Sequence, residues 1–269
     1  DTQDSFFKGL AADFQASGYD LRVVIKGLIK SPYFRARNWK VDPSPEDEIS
    51  LMQVGSARLA TPEQLNRRIE SITGFPWRAS RTATDNLITE NLYQIFYGGI
   101  DSDDITRRIK DPNGIMVAVQ QRMANEMTCL TTTRDFSKSE VSRLLFPFVE
   151  LSFTPEDDNG FPIPQAEEAI RENIRYLHAH LLGEILQPGD AELDFTYTLF
   201  YETWLEGVEG MLEGTHTASL PWSCQSNSDW WTAEAFEGKS KISNDPNYTV
   251  RAWSAVLSYL LSDYRFLYQ

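Results

Sequence analysis

The sequence is poor in the residues from which catalytic and metal centres are most often built. Its 269 residues include two cysteines and three histidines. Two cysteines cannot form a four-thiolate metal site, and neither a Cys-x-x-Cys redox pair nor a Cys-x-x-Cys-His haem attachment motif occurs. Gly-x-Gly-x-x-Gly, the Walker loop and Gly-x-Ser-x-Gly are missing as well. The common nucleotide-binding and hydrolase functions therefore have no signature in this chain.

Positive charge and long apolar runs are also scarce. The chain has 25 Lys and Arg against 39 Asp and Glu, a net charge of −14. A nucleic-acid backbone or an anionic membrane would repel such a protein, so we expect no nucleic-acid partner. No window reaches about 18 apolar residues, which predicts no membrane span. The chain begins with Asp1, without a basic or apolar leader, and we expect it to be processed or part of something longer.

What the sequence has in quantity is helical periodicity. Apolar residues make up 41% of the chain, enough for a globular core. They recur at helical spacing along most of it, and alternation typical of strands is rare. Capping boxes at Thr61–Gln64 and Ser137–Glu140 indicate helix starts, and a further helix is predicted from Asp85 to the glycines at 98–99. The pattern predicts an all-α fold of about eight or nine helices, with a long irregular loop rich in tryptophan.

Proline and acidic residues divide the chain into modules. The run from Val41 to Glu48 contains two prolines and four acids and shows no periodicity. We therefore predict a helical hairpin over residues 1–37, which is a candidate end of a preceding module. A linker is predicted over 38–60 and a main helical domain over 61–269.

An acidic turn is the best candidate for a metal site. Asp157, Asp158 and Asn159 precede Gly160, and their side chains carry the oxygen ligands that Ca²⁺ prefers. The turn does not match an EF-hand loop, because Pro155 and Ala166 would occupy positions that need an acid. The turn is therefore either an irregular Ca²⁺ site or a solvated acidic loop, and no other cofactor is expected in this chain.

The cysteines and histidines admit few pairings. Cys129 and Cys224 can form one structural disulfide or remain as two buried thiols. His178 and His180 are two residues apart, so they point to nearly opposite sides of a helix and cannot share a metal. His180 and Glu184 share a helical face and are expected to form a surface ion pair.

Tryptophans cluster in the irregular segment between Pro221 and Phe236. Trp222, Trp230 and Trp231 alternate there with amide, hydroxyl and carboxylate groups. Their indole rings can pack onto the helices, form a surface that docks a partner, or line a sugar-binding cleft. In a carbohydrate-active enzyme the acidic groups would be two carboxylates flanking a glycosidic bond. The candidates are Asp229 and Glu234, and His216 is a candidate general base.

Three stretches resemble one class of bacterial protein. The segments Leu10–Arg22 and Leu28–Arg35 resemble a recurring block of large secreted proteins of the planctomycete type. These proteins are built from domains of unknown function and are often joined to c-type cytochrome modules. The resemblance is strongest over residues 8–37. Residues Cys129–Glu150 and Ser258–Tyr268 are similar to later blocks, although Asp263 stands where the family usually has proline.

The resemblance implies a location and a set of neighbours. A member of this class would be exported to the periplasm or the cell surface and would work near c-type cytochromes. Because this chain has no haem motif, haem would belong to a partner subunit or to a segment outside it. The shared stretches are helix ends, so they carry no catalytic residue. We expect a non-catalytic accessory protein that docks partners through Trp222, Trp230 and Trp231, with an envelope carbohydrate-binding protein or enzyme as the alternative.

Overall fold

The computed structural model describes residues 2–31, 34, 58–89, 93–101 and 104–268, and these form two compact units, Asp1–Arg58 and Leu59–Gln269. The described residues contain seven α-helices and isolated bridges, with no β-sheet. The helices are α1 (Thr2–Ala16), α2 (Leu21–Lys30), α3 (Pro62–Thr73), α4 (Gly114–Phe136), α5 (Pro164–Leu177), α6 (Ala191–Leu212) and α7 (Thr249–Ser262). The predicted all-α fold is confirmed, with seven helices instead of eight or nine.

The first unit contains the hairpin of α1 and α2. Gly18 and Tyr19 adopt positive φ angles of 72° and 66° at the turn, and the Asp20 side chain caps α2 by accepting from the Arg22 amide. Gly27 lies against the side chain of Leu10, so the absence of a Cβ lets the two helices approach closely. The predicted linker, residues 38–60, lies outside the described residues except for its last three.

The core of the second unit is built around α7. Along this helix Trp253, Val256, Leu257, Leu260 and Leu261 are buried, and α7 packs against both α4 and α6. The Trp253 ring lies between Phe200 and Phe146, at centroid distances of 4.6 and 5.3 Å. Each such side chain contributes about 1.5–3 kcal/mol by leaving water. The two ends of this unit also meet, because the Ala60 amide donates to the Leu267 carbonyl at 2.8 Å.

Two segments predicted as helices are not helical. The described part of residues 85–98 consists of turns, and after the Ser137–Glu140 motif only a single 3-10 turn forms, Glu140–Ser142. The reason at the second site is Asp135, whose buried carboxylate accepts from three backbone amides at 144–146. A tertiary acceptor thus takes the place of the helical hydrogen bonds that the local sequence predicts.

A short π-helical turn, His178–Leu182, extends α5 and ends at Gly183. Within the described residues, every helix is too short or too polar to cross a membrane.

Candidate functional site

The tryptophan-rich segment, residues 221–236 and here called the Trp loop, is held in shape by hydrogen bonds within the loop and to Ile242. Ser226 exchanges two backbone hydrogen bonds with Ile242, at 2.8 and 2.9 Å. At the tip, the Asp229 carboxylate accepts from the amides of Trp231 and Thr232, at 2.9 and 2.7 Å, and these bonds lower the pKa of Asp229. Ala233 takes a left-handed φ of 64°, so the tip is a strained turn held by these hydrogen bonds.

A disulfide fixes the base of the Trp loop to α4. Cys129 on α4 is bonded to Cys224, with their Cα atoms 4.5 Å apart. Beside it, the Thr133 hydroxyl donates to the Cys224 carbonyl at 2.8 Å. The loop is therefore attached by a disulfide and by side-chain hydrogen bonds to a helix that belongs to the core.

The Trp loop and α4 enclose a cleft of about 850 Å³ together with residues 77–81, Asn86 and Tyr93. This volume is within the range of roughly 300–1,000 Å³ usual for small-ligand sites. Its wall on α4 is one helical stripe, since Arg122, Glu126, Leu130 and Arg134 recur every four residues. The Trp loop supplies the opposite wall through Trp222, Trp230 and neighbouring polar side chains.

Aromatic rings line the cleft at different depths. Trp77 is buried, stacks on Tyr93 at a centroid distance of 4.8 Å, and donates its indole N–H to Glu126 at 2.8 Å. Trp230 is half-buried, with its ring 6.4 Å from that of Phe75. Trp222 is 86% exposed at the mouth. Of the tryptophans predicted to bind a partner, Trp230 is therefore mostly a packing residue, whereas Trp222 presents its ring to solvent.

Trp231 lies outside the cleft lining but is also accessible, with 52% of its surface exposed. Its backbone carbonyl accepts a hydrogen bond from the Arg81 guanidinium at 3.1 Å, across from the Trp loop. The Trp loop thus carries two exposed indoles, and its backbone is hydrogen-bonded to Ile242 and to Arg81.

Four arginines line the cleft, and they fall into two classes. Arg78 is paired with Asp85, and Arg122 with Glu126, each at 2.8 Å. Arg81 and Arg134 have no carboxylate partner among the residues that the structure describes. The positive charge of the cleft contrasts with the net charge of −14 for the whole chain.

The candidate catalytic groups are not brought together in this cleft. Asp229 and Glu234 do not line it, and His216 stacks on Tyr248 at the end of α6, 5.7 Å between ring centroids. Among the described residues the carboxylate in the lining is that of Glu126, already bonded to Trp77 and Arg122. The described cleft offers aromatic and cationic binding groups and no pair of carboxylates for acid–base chemistry.

The acidic turn uses its first carboxylate for structure. Asp157 Oδ1 accepts from the amides of Asn159 and Phe161, both at 2.9 Å, which lowers the pKa of Asp157. Asp158 and Asn159 are exposed beside it. Across the described ranges, no group of three or more His, Cys, Asp or Glu side chains is placed to hold a metal ion.

One polar cluster has no clear signal in the sequence. His178 is fully buried and bonds Glu184 through Nδ1 at 2.9 Å and the Thr196 hydroxyl through Nε2 at 3.0 Å. Glu184 thus pairs with His178 and, through its other oxygen, with Arg265 at 2.8 Å. The expected pairing with His180 is wrong, because the π-helical turn redirects these side chains. His180 instead bonds the Ile72 carbonyl at 3.0 Å. This cluster connects helices of the core and opens onto none of the described pockets.

Comparison with protein-family models, with curated proteins and with solved structures found no match to this chain.

Proposed function

We propose that this protein is a non-catalytic interaction protein that binds a partner subunit through Trp222 and Trp231. The observation that carries the proposal is the exposure of two indole rings, 86% and 52%, on a loop held by a disulfide and by backbone hydrogen bonds. Tryptophan side chains supply a disproportionate share of the energy of protein interfaces. A loop that is already rigid loses little conformational entropy when it binds.

The net charge of −14 favours a partner with a basic face. Opposite net charges accelerate the encounter of two proteins and orient them before contact, and salt weakens this effect. The indoles would then supply the short-range contacts after the charges have brought the partners together.

The resemblance of residues 8–37 to planctomycete-type secreted proteins supports an envelope location and a cytochrome-containing assembly. The disulfide supports the same location, because such bonds persist in oxidising compartments such as the periplasm. In this proposal the chain is an accessory subunit of the periplasm or cell surface, and haem is carried by a c-type cytochrome partner.

We do not assign catalysis to the acidic residues of the Trp loop. Asp229 is occupied by two backbone amides, and neither Asp229 nor Glu234 faces the cleft lining. The groups that line the cleft therefore support carbohydrate binding and not carbohydrate hydrolysis.

The test is a double variant, Trp222→Ala with Trp231→Ala, introduced into a tagged chain in the source organism. Complexes are purified under native conditions, weighed by native mass spectrometry and stained for covalent haem. We expect the wild-type chain to retain a haem-bearing subunit and the double variant to lose it while unfolding at the same temperature.

The matched control replaces two equally exposed aromatic residues elsewhere, Phe161 and Phe195, with alanine. This control should keep the partner. Retention of the partner by the double variant, or a wild-type chain that runs alone without haem-bearing subunits, would refute the proposal.

A further inference from the structure

Arg134 is a half-buried cation without a counter-ion among the residues that the structure describes. Its guanidinium lies over the Trp230 ring at 4.9 Å and donates to the Leu130 carbonyl at 3.1 Å. Its Nε atom is buried and has no hydrogen-bond partner in the described part of the chain. Burial lowers the pKa of Arg134. Removing an unpaired charge from water costs free energy, so this position is unfavourable for the empty protein and favourable once an anion is bound.

Arg81 provides a second guanidinium on the cleft that pairs with no carboxylate in the described part of the chain. It is exposed, and its one described hydrogen bond as a side-chain donor goes to the Trp231 carbonyl. Both arginines therefore contact the Trp loop. Arg134 lies over the ring of Trp230, and Arg81 donates to the backbone of Trp231. Guanidinium groups bind carboxylates through two parallel hydrogen bonds, which makes a carboxylate the natural ligand here.

Neutral polar groups complete the cleft. Trp230 Nε1 and Asn227 Oδ1 are buried without a hydrogen-bond partner among the described residues, so one donor and one acceptor are unpaired. Further amides and hydroxyls in the lining are those of Ser80, Asn86, Asn125, Ser223, Gln225 and Ser228. Hydroxyl groups both donate and accept, so a polyhydroxylated ligand can bond groups of both kinds. An aromatic acid would leave them unpaired, at a cost in affinity.

The mouth of the cleft offers a flat apolar surface. The Trp222 ring is 86% exposed and lines the opening. The C–H face of a pyranose ring stacks on an indole, which combines apolar contact with weak C–H to π interactions. A ligand that combines a stacking ring, hydroxyls and a carboxylate is a uronic acid.

We propose that the cleft binds a mostly neutral sugar chain that carries an isolated uronic acid, with Arg134 and Arg81 receiving the carboxylate and Trp222 stacking on a pyranose ring. Two unpaired arginines match one carboxylate, and a chain with a carboxylate on every sugar would be repelled by the net charge of −14. This inference is independent of the protein partner proposed above, although both use Trp222.

The experiment is calorimetric titration of the whole chain with three sugars. The acidic probe is a xylo-oligosaccharide bearing one glucuronic acid branch. Its matched controls are the methyl ester of the same compound and the unbranched xylo-oligosaccharide. We expect the acid to bind about tenfold or more tightly than the ester, and this advantage to shrink between about 0.05 and 0.5 M salt. Equal affinity for acid and ester, or no binding of the acid at millimolar concentration, would overturn the inference.

Variants locate the site. Arg134→Gln and Arg81→Gln should each weaken binding of the acid by about tenfold to a hundredfold and change binding of the ester little. Arg107→Gln, which removes an exposed charge outside the lining, is the control and should bind like the wild type. Arg81 is exposed, so its replacement tests the site even where Arg134→Gln affects folding. Wild-type affinity in both cleft variants would overturn the inference.

The two proposals fail in different ways. Loss of sugar binding in Arg81→Gln without loss of the haem-bearing partner supports a separate ligand site. A chain that binds the acidic sugar but has no partner refutes the docking proposal alone. A chain that keeps its partner and binds none of the three sugars refutes the sugar site alone.

Discussion

At the scale of single residues, Asp135 shows how one buried carboxylate shapes the chain after a helix. Its oxygens accept from the amides of Leu144, Leu145 and Phe146 at 2.8–3.1 Å, and from Lys138 Nζ at 3.1 Å. Asp135→Asn replaces one acceptor oxygen by a donor that faces other donors. We expect the free energy of unfolding to fall by about 2–4 kcal/mol, measured by urea titration.

The control for this change is Asp158→Asn, which makes the same substitution in an exposed turn. It should alter the free energy of unfolding by less than about 0.5 kcal/mol. A loss below about 1 kcal/mol for Asp135→Asn would show that the three amides find other acceptors, and the account of this turn would be wrong.

Glu63 is expected to couple folding to acid pH. Both of its oxygens accept from Arg108, at 2.8 and 3.1 Å, and this pairing lowers the pKa of Glu63 from 4.5 to about 2. Because the folded pKa lies below the unfolded one, the stabilisation is complete above pH 4.5 and is lost as the pH falls toward 2. Arg108→Gln should return the pKa of Glu63 toward its ordinary value, measured by carboxyl-detected NMR titration.

Arg108 and Glu63 are each more than a third exposed, so solvent screens the pair. At neutral pH we expect Arg108→Gln to cost less than about 1 kcal/mol. The neighbouring exposed Arg107→Gln is the control and should leave the titration of Glu63 unchanged. If the pKa of Glu63 stays near 2 in Arg108→Gln, the backbone, and not the guanidinium, sets that pKa.

Residue-level predictions from the sequence work where the partners are close along the chain. The capping box at Thr61 and Gln64 is present, with both reciprocal hydrogen bonds. Both bonds lie within four consecutive residues, so the local sequence is enough to predict them. Arg134 and Trp230 lie on different elements and meet only after folding. No local pattern indicates that pairing, which is why the sequence predicts the tryptophans as candidates but not the arginines beside them.

At the scale of elements, the packing of α6 depends on a glycine. A Cβ on Gly207 would overlap the ring of Tyr248. Tyr248 immediately precedes α7 and has a left-handed φ of 57°. Gly207→Ala gains helix propensity of about 1 kcal/mol but must push this ring aside. We expect a net loss of about 1–3 kcal/mol in the free energy of unfolding, measured by denaturant titration.

Gly114→Ala is the control for this substitution, since an added Cβ meets nothing at the start of α4. It should be neutral or slightly stabilising. A stabilised Gly207→Ala protein would show that Tyr248 moves without cost and that α6 and α7 are loosely packed there.

The disulfide is expected to stabilise the second unit and to hold the cleft. It joins residues 95 apart in sequence, so it restricts the unfolded chain strongly. Replacing Cys129 and Cys224 by serine should lower the free energy of unfolding by about 2–5 kcal/mol. Reductant should lower the unfolding temperature of the wild type and leave the variant unchanged, which is the internal control. A wild-type chain insensitive to reductant would contradict a closed disulfide.

Helix periodicity predicts the long helices because their hydrogen bonds are local. It fails after α4, where Asp135 supplies acceptors for 144–146, and it overestimates the number of helices there. The Trp loop is predicted as irregular, but its shape comes from bonds to Ile242 and to α4, which lie outside the loop. Sequence patterns thus identify the segment and not the cleft that it forms.

At the scale of the whole molecule, the charge of the cleft is opposite in sign to the net charge of the chain. The chain carries 39 acidic residues, yet four arginines converge on one cleft, and two of them have no acidic partner among the described residues. Net charge alone predicts a protein that avoids anions. The structure localises an exception to that rule, and this local field is what the proposed sugar site uses.

The second unit is expected to fold without the first. Its core is built from residues between Ala60 and Leu267, and its ends are tied together by Ala60 and by Arg68, which donates to the Tyr268 carbonyl. A chain of residues 59–269 should therefore unfold cooperatively, within about 2 °C of the chain of residues 1–269, by scanning calorimetry.

The same argument predicts the opposite for residues 1–58. Among the described residues of the first unit, Leu10 is the apolar side chain that is buried, and α2 has none. The described residues of this unit remove too little apolar surface from water to offset the entropy of ordering the chain. By circular dichroism we expect this fragment to be weakly helical and to melt without a cooperative transition. A cooperative transition in the fragment would show that residues 1–58 fold by themselves, contrary to this prediction. A fall of more than about 5 °C in residues 59–269 would mean that the second unit depends on the first for stability.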